Sequence, residues 1–188
     1  MIRGNMPTDG GNLLLNEDER TELGRASPAA SRFVRRFLGA QELIDGLSRY
    51  CIWIEDDELV QATEIPAIDE RIERVRQMRM SSKAHSTRDY APYAHKFRQI
   101  QGICKQSCIV VPRVTSEHRE FLPVGYFDKH TIVGDRNFAM CDAPLSNMAI
   151  VASRLHWVWI GAVCVRLEMR FSYSNTLGWN TFPIPTLT

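Results

Sequence analysis

Two prolines decide how the middle of this chain can be built. Cys108-Ile-Val-Val111 is a run of strand formers that stops at Pro112, a residue with no N–H to offer a ladder. A second apolar run, 121–127, is interrupted by Pro123 and Gly125. Between them Arg113-Val-Thr-Ser-Glu-His-Arg-Glu120 carries two guanidiniums, two carboxylates, an imidazole and two hydroxyls. The spacing predicts a pair of strands joined by a polar segment. A rigid pair of strands holding such a segment is how a scaffold positions groups that read a ligand. An ordinary solvated hairpin loop has the same spacing, so both readings stand at this point.

Charge is spread unevenly around that centre. Residues 1–70 hold seven Arg or Lys and fourteen Asp or Glu, a balance of −7. Residues 71–98 hold eight basic and two acidic residues, a balance of +6, and the remaining ninety hold eight and six. The formal total of +1 therefore hides one short segment that carries the positive field. A face that only keeps a protein soluble mixes its signs. This imbalance points to phosphate contact by Arg76, Arg79, Lys83, Arg88, Lys96 and Arg98.

The remaining signals are local. Asn16 with Glu19 three residues later is a capping box that starts a helix to about residue 25. Ser27-Pro28 predicts a second helix over 29–38, stopped by Gly39, with a short helical turn over 41–48. Arg49-Tyr-Cys-Ile-Trp-Ile54 reads as a strand. Pro66 begins an amphipathic helix with an apolar stripe of Ile68, Ile72, Val75 and Met78, and the pattern continues through Lys83, His85 and Arg88. Residues 94–106 read as a loose connection, 132–133 and 137–141 as short strands, and 146–170 as one apolar helix with His156 packed in it. The tail, 173–185, reads as extended and non-helical because of its prolines. The fold expected is α+β: helices around a small mixed or antiparallel sheet, then a C-terminal helix and an extended tail.

Several chemistries are missing from the text. No glycine loop for phosphate or adenosylmethionine is present, and no Gly-x-Ser-x-Gly turn. No His-Glu-x-x-His or carboxylate cluster suggests a metal. A nuclease would need paired acids and a lysine for its metal. An amino-methyltransferase needs an Asn/Asp-Pro-Pro-aromatic loop, and the nearest text, Asp142-Ala-Pro-Leu145, lacks its first proline and its aromatic. No catalytic residue is assigned, and the chain is not expected to catalyse anything alone. The five cysteines lack paired spacings and are expected to be reduced and mostly buried, as in a cytoplasmic protein. There is no signal-peptide core and no apolar run of spanning length. The chain opens without lead-in structure and reads as the middle of a longer protein.

Taken together, several stretches resemble one family, the C-terminal part of MmeI-like (type IIL) restriction–modification enzymes and related adenine-specific DNA methyltransferases. The resemblance is carried by Met6-Pro-Thr-Asp-Gly-Gly-Asn-Leu-Leu-Leu15, Phe33-Val-Arg-Arg-Phe-Leu-Gly-Ala40, Arg49-Tyr-Cys-Ile-Trp53 and Ser82-Lys83. It continues in Val111-Pro-Arg-Val-Thr-Ser-Glu-His-Arg119, Trp157-Val-Trp-Ile-Gly-Ala-Val-Cys164, Tyr173-Ser174 and Asn180-Thr-Phe-Pro183. It is weakest over 84–106 and after Tyr126, where base-reading residues would vary.

The resemblance implies a DNA target recognition domain over 1–145 and a C-terminal helical piece and tail over 146–188 that packs back on a catalytic core. It also implies an upstream methyltransferase domain in the same parent chain, which would hold the S-adenosylmethionine. Duplex DNA and that upstream domain are the partners expected, in the cytoplasm and away from membranes. Arg113, Ser116, Glu117 and Arg119 supply groups suited to base edges, since arginine pairs with guanine and a carboxylate accepts from the cytosine amine. The competing class is a protein-interaction module in which Trp157, Trp159 and the aromatic tail dock on a partner domain.

Overall fold

The computed structural model describes residues 1–184. The chain enters as β1 (Ile2–Arg3) and turns so that the Asp9 carboxylate accepts the N–H groups of Leu13 and Leu14 at 2.7 and 3.2 Å, launching β2 (Leu14–Leu15). Asn16 caps α1 (Glu17–Ala26) with the reciprocal Glu19 bonds its spacing announces. The expected helix over 29–38 is corrected. Pro28–Phe33 is a short 3-10 stretch and Val34–Leu38 is a strand, β3. α2 (Ala40–Asp45) closes at the left-handed Gly46, φ 70°, and β4 (Tyr50–Ile52) follows. α3 (Leu59–Thr63) leads into α4 (Pro66–Met80), which buries Ile68, Ile72 and Val75 as its stripe requires. The helical pattern does not run on through Arg88. It stops at Ser81 and restarts as the single turn α5 (His85–Arg88).

The C-terminal half opens with five strands. β5 (Ser107–Pro112), β6 (Val114–Thr115), β7 (Gly125–Asp128), β8 (Thr131–Val133) and β9 (Asn137–Cys141) come in succession. The single helix expected over 146–170 is instead α6 (Leu145–Ala152) and α7 (Arg154–Val163), then a hairpin of β10 (Arg166–Leu167) and β11 (Arg170–Ser172). Ser153 makes the break by accepting the His156 N–H with its side chain, a new N-cap. The tail is also corrected: Asn175–Trp179 forms one π-helical turn, capped by Ser174. Pro183 lies beyond that turn and does not oppose it. Residues 185–188 of the tail lie outside the described residues.

The described strands form three sheets, ordered β1-β9-β5-β7, β2-β4-β3-β8 and β10-β11-β6. All the pairings are antiparallel except β3 with β8. β3 lies between β4 and β8, so both of its edges are satisfied by ladders and Phe37 and Leu38 go inside. This burial overrides the local helix signal of Ser27-Pro28. The predicted pairing of 108–111 with the second run holds as β5 against β7, but within that run the strand begins only at Gly125.

One core packs Leu13, Leu15, Phe33, Ile52, Ile72 and Phe97 between the β3 sheet and α4. A second joins Ile109, Val111 and Phe138 of the β5 sheet to Trp157, Ile160 and Phe171 of the C-terminal piece. The piece from residue 146 thus shares a core with the central sheet. The cysteine expectation is corrected in part: Cys51, Cys108 and Cys164 are free and buried, but Cys104 and Cys141 are joined in a disulfide. The Asp142 carboxylate accepts the N–H groups of Lys105, Gln106 and Ser107 and draws that segment to the end of β9. The two cysteines stand 37 positions apart in sequence, so no local spacing announces the bond.

Candidate nucleic-acid interface

α4 and the segment after it carry the expected cations, but they do not form one surface. Arg79 is fully buried, 0% exposed. All five of its N–H donors reach carbonyls: Nε to Thr8, Nη1 to Tyr90 and Tyr93, and Nη2 to Pro7 and Lys96, at 2.7–3.2 Å. Burial holds its pKa below the usual arginine value. A side chain with no exposed donor has nothing to offer a phosphate, so Arg79 leaves the group of phosphate contacts. It ties α4 to the N-terminal turn instead.

The other cations differ in freedom. Lys83 is exposed and forms no ion pair among the described residues. Arg88 donates Nη1 to the carbonyls of Ser82 and Lys83 at 2.8 and 2.9 Å, closing the C-terminal end of α4. Arg98 donates to the Ser86 hydroxyl at 2.9 Å. Lys96 bonds Asp56, which His95 also reaches at 3.0 Å, and these bonds, that of Lys96 first, hold the Asp56 carboxyl below its usual range. Arg76 pairs with Glu73 on its own helix. Lys83 and Arg88 are thus the exposed cations of the group without a carboxylate partner, and Arg98 is half-buried without one.

The polar segment after β5 is more closely held than its composition suggests. Arg113 donates its N–H to the Arg136 carbonyl at 2.9 Å and Nη1 to the Asp135 carbonyl at 3.0 Å. Its guanidinium lies over the Phe138 ring at 5.7 Å. Burial, and then the Arg3 charge, lower its pKa, while Asp135 opposes. β6 pairs with β11, Val114 opposite Ser172 and Thr115 opposite Phe171, so the segment leaves the sheet pinned to the C-terminal hairpin. Ser116 receives the His118 N–H on its hydroxyl at 3.3 Å and the Arg119 N–H on its carbonyl at 3.3 Å. This tight turn exposes His118 and Arg119 and leaves Glu117 half-buried, with a carboxylate oxygen 3.2 Å from the His118 ring.

Two further charged turns share this neighbourhood and were not singled out in the sequence. Gly134-Asp-Arg136 joins β8 to β9, with Asp135 paired to Arg3 at 3.0 Å and Arg136 exposed. The β10–β11 hairpin turns through Glu168, φ 57°, and sets Glu168 against Arg170 at 3.0 Å on its exposed tip. The sequence signal was the two-residue spacing of opposite charges, the same as in Glu117 and Arg119, but it lay inside a stretch read as helix. Among the described residues no three His, Cys, Asp or Glu side chains cluster as metal ligands would, and no helix is long and apolar enough to cross a membrane.

Comparison with known proteins gives this arrangement its context. The family model described as MmeI, target recognition domain, matches residues 1–186. The chain belongs to that family. Within it, DNA methyltransferase A of Bacillus subtilis (strain 168) is 36% identical over 184 residues, 98% of this chain and 21% of that protein. The type IIL restriction–modification enzyme MmeI, solved in complex with DNA, is similar with a TM-score of 0.93 at 31% identity, over 100% of this chain and 25% of that one. This MmeI-type domain therefore spans about a fifth to a quarter of the relatives it matches. It has the α+β architecture that its sequence predicts.

Proposed function

We propose that this target recognition domain reads DNA sequence for a larger adenine-N6 DNA methyltransferase or restriction–modification enzyme and is not catalytic by itself. The observation that carries the reading is the match of the whole chain, fold included, to a DNA-bound MmeI. Duplex DNA is the partner, and the methyltransferase domain of the same parent chain would hold S-adenosylmethionine and supply the chemistry, in the cytoplasm. Lys83, Arg88 and Arg98 are the phosphate contacts the geometry favours, with Arg76 and Lys96 available if they leave their carboxylates. Base reading falls to Arg113, Ser116, Glu117 and Arg119, and to Glu168 and Arg170 on the hairpin attached to the same strand, β6.

The C-terminal piece supports a second contact. Leu155, Val158 and Val165 are 60–70% exposed, an apolar surface suited to docking on the methyltransferase domain. Both contacts are compatible with one parent chain. The test is the methylated motif of the full-length protein, mapped across a genome for wild type, Glu117→Lys and Glu168→Lys. Each reading residue is expected to relax or change one base position, at about 1–3 kcal/mol. A motif unchanged in both variants, with activity retained, would remove both turns from the reading surface. Methyl transfer by the isolated 188-residue chain would overturn the non-catalytic assignment.

A further inference from the structure

The turn that carries Asp135 and Arg136 has a second side. There it faces α2 across a cleft of about 350 Å³ with apolar walls at Pro7, Leu14 and Phe37 and charged ones at Glu42, Arg49, Asp135 and Arg136. Glu42 is the unusual member. Its side chain is 5% exposed, and among the described residues its one ion pair is with Arg49, Oε1 to Nε at 3.2 Å. A Cβ at Gly39 would stand 2.3 Å from the other Glu42 oxygen, so in this rotamer the carboxylate lies against the open face of that glycine. A buried carboxylate is costly unless it holds a cation in a fixed place.

What it holds is the inner end of the Arg49 guanidinium. The side chain is 45% exposed, and its two outer nitrogens meet no acceptor among the described residues. Arg136, also exposed, has no side-chain acceptor there either. Asp135 of the same lining is already paired with Arg3 at 3.0 Å, so three guanidiniums, Arg3, Arg49 and Arg136, stand against the carboxylates of Glu42 and Asp135 and leave one spare positive charge, which matches a singly charged phosphodiester. The apolar walls suit the deoxyribose beside it. The same turn also receives the backbone and side-chain bonds of Arg113 at 2.9 and 3.0 Å, so it joins the cleft to the proposed reading surface.

We propose that this cleft binds one phosphodiester of duplex DNA between Arg49 and Arg136, with Glu42 as the residue that positions Arg49. The proposal rests on the DNA-reading function and adds the contact that fixes the register of the Arg113 turn on the duplex.

The experiment is a salt titration of duplex binding by the full-length protein that contains this chain. Arg136→Gln is expected to flatten the log–log slope by about 0.9 and to weaken all sequences alike. Arg49→Gln should do the same, and Arg49→Lys should restore most of the slope because it keeps the charge. Glu42→Gln separates positioning from net charge. Removal of an acid strengthens DNA binding by electrostatics alone, whereas loss of positioning weakens it, and weakening is expected. Stronger binding by that variant overturns the role of Glu42. Arg136 is exposed, so its variant should fold, and an unchanged slope at an unchanged melting temperature overturns the cleft. Lys83→Gln is the control. A slope that falls there but not at Arg136 rejects the cleft and leaves DNA reading standing, while wild type that binds no duplex in a salt-dependent way rejects both.

Discussion

A guanidinium with five donors is rarely buried, because each donor then needs an acceptor. Arg79 meets that demand with five carbonyls drawn from residues 7, 8, 90, 93 and 96. Arg79→Ala would leave those carbonyls dry and open a cavity. It is expected to destabilise the domain by about 3–5 kcal/mol in urea unfolding. The salt slope of DNA binding should not change in the fraction that stays folded. His156 is the other residue whose chemistry is turned inward. It is 0% exposed, bonds the Tyr173 hydroxyl at 3.0 Å, and burial lowers its pKa to about 4. The neutral ring is therefore the folded form. Its contribution is whole above the unfolded pKa of about 6.5 and falls away as pH drops toward 4, by up to about 3 kcal/mol. Melting temperatures at pH 7 and pH 5 should differ for wild type and differ less for His156→Gln. Equal differences would assign the acid sensitivity elsewhere.

At the scale of elements, short turns carry the exposed charge. α4 ends where Arg88 bonds the carbonyls of Ser82 and Lys83, so Lys83 stands at a helix end that a cation also stabilises. Replacement of Lys83 and Arg88 together by glutamine should reduce the salt slope by about 1.8, or 0.9 for each lost phosphate contact. An unchanged slope would make this end of α4 a solvated surface. The β10–β11 hairpin has Glu168 and Met169 at its tip, and Glu168 takes φ 57°, a conformation that asparagine and glycine adopt at lower cost. Exchange of this dipeptide for Asn-Gly is expected to hold or raise the melting temperature while it alters one position of the methylated motif. A lower melting temperature with an unchanged motif would show that the tip serves packing alone.

At the scale of the molecule, three small sheets pack around separate hydrophobic clusters rather than around one large core. The Cys104–Cys141 bond closes a loop with a sequence separation of 37 residues and fastens the segment before β5 to the end of β9. In the chain-entropy account a loop of that length is worth about 3–4 kcal/mol. Reduction, or Cys104→Ser, should lower the stability of the oxidised domain by about that amount. Cys51, Cys108 and Cys164 are free and buried and should react with alkylating reagents only after unfolding. If reductant leaves the denaturation midpoint unmoved, the bond contributes nothing to the fold.

Local physics, read along the chain, was enough for the capping box at Asn16, the stripe of α4, the strand after Pro66's helix that Pro112 ends, and the uneven charge of residues 71–98. Each depends on neighbours within a few residues, and the quoted motifs were long enough to identify the family. Tertiary structure alone decided that residues 34–38 would be a strand, since only two flanking ladders make that conformation the better one. It alone turned Arg79 inward, because the carbonyls that satisfy it lie as far as 72 residues away. The Glu42–Arg49 pair, the Arg113 turn and the disulfide have the same origin. Propensity and periodicity register what a residue prefers over one or two turns of chain, whereas burial and partner choice depend on which distant backbone arrives beside it.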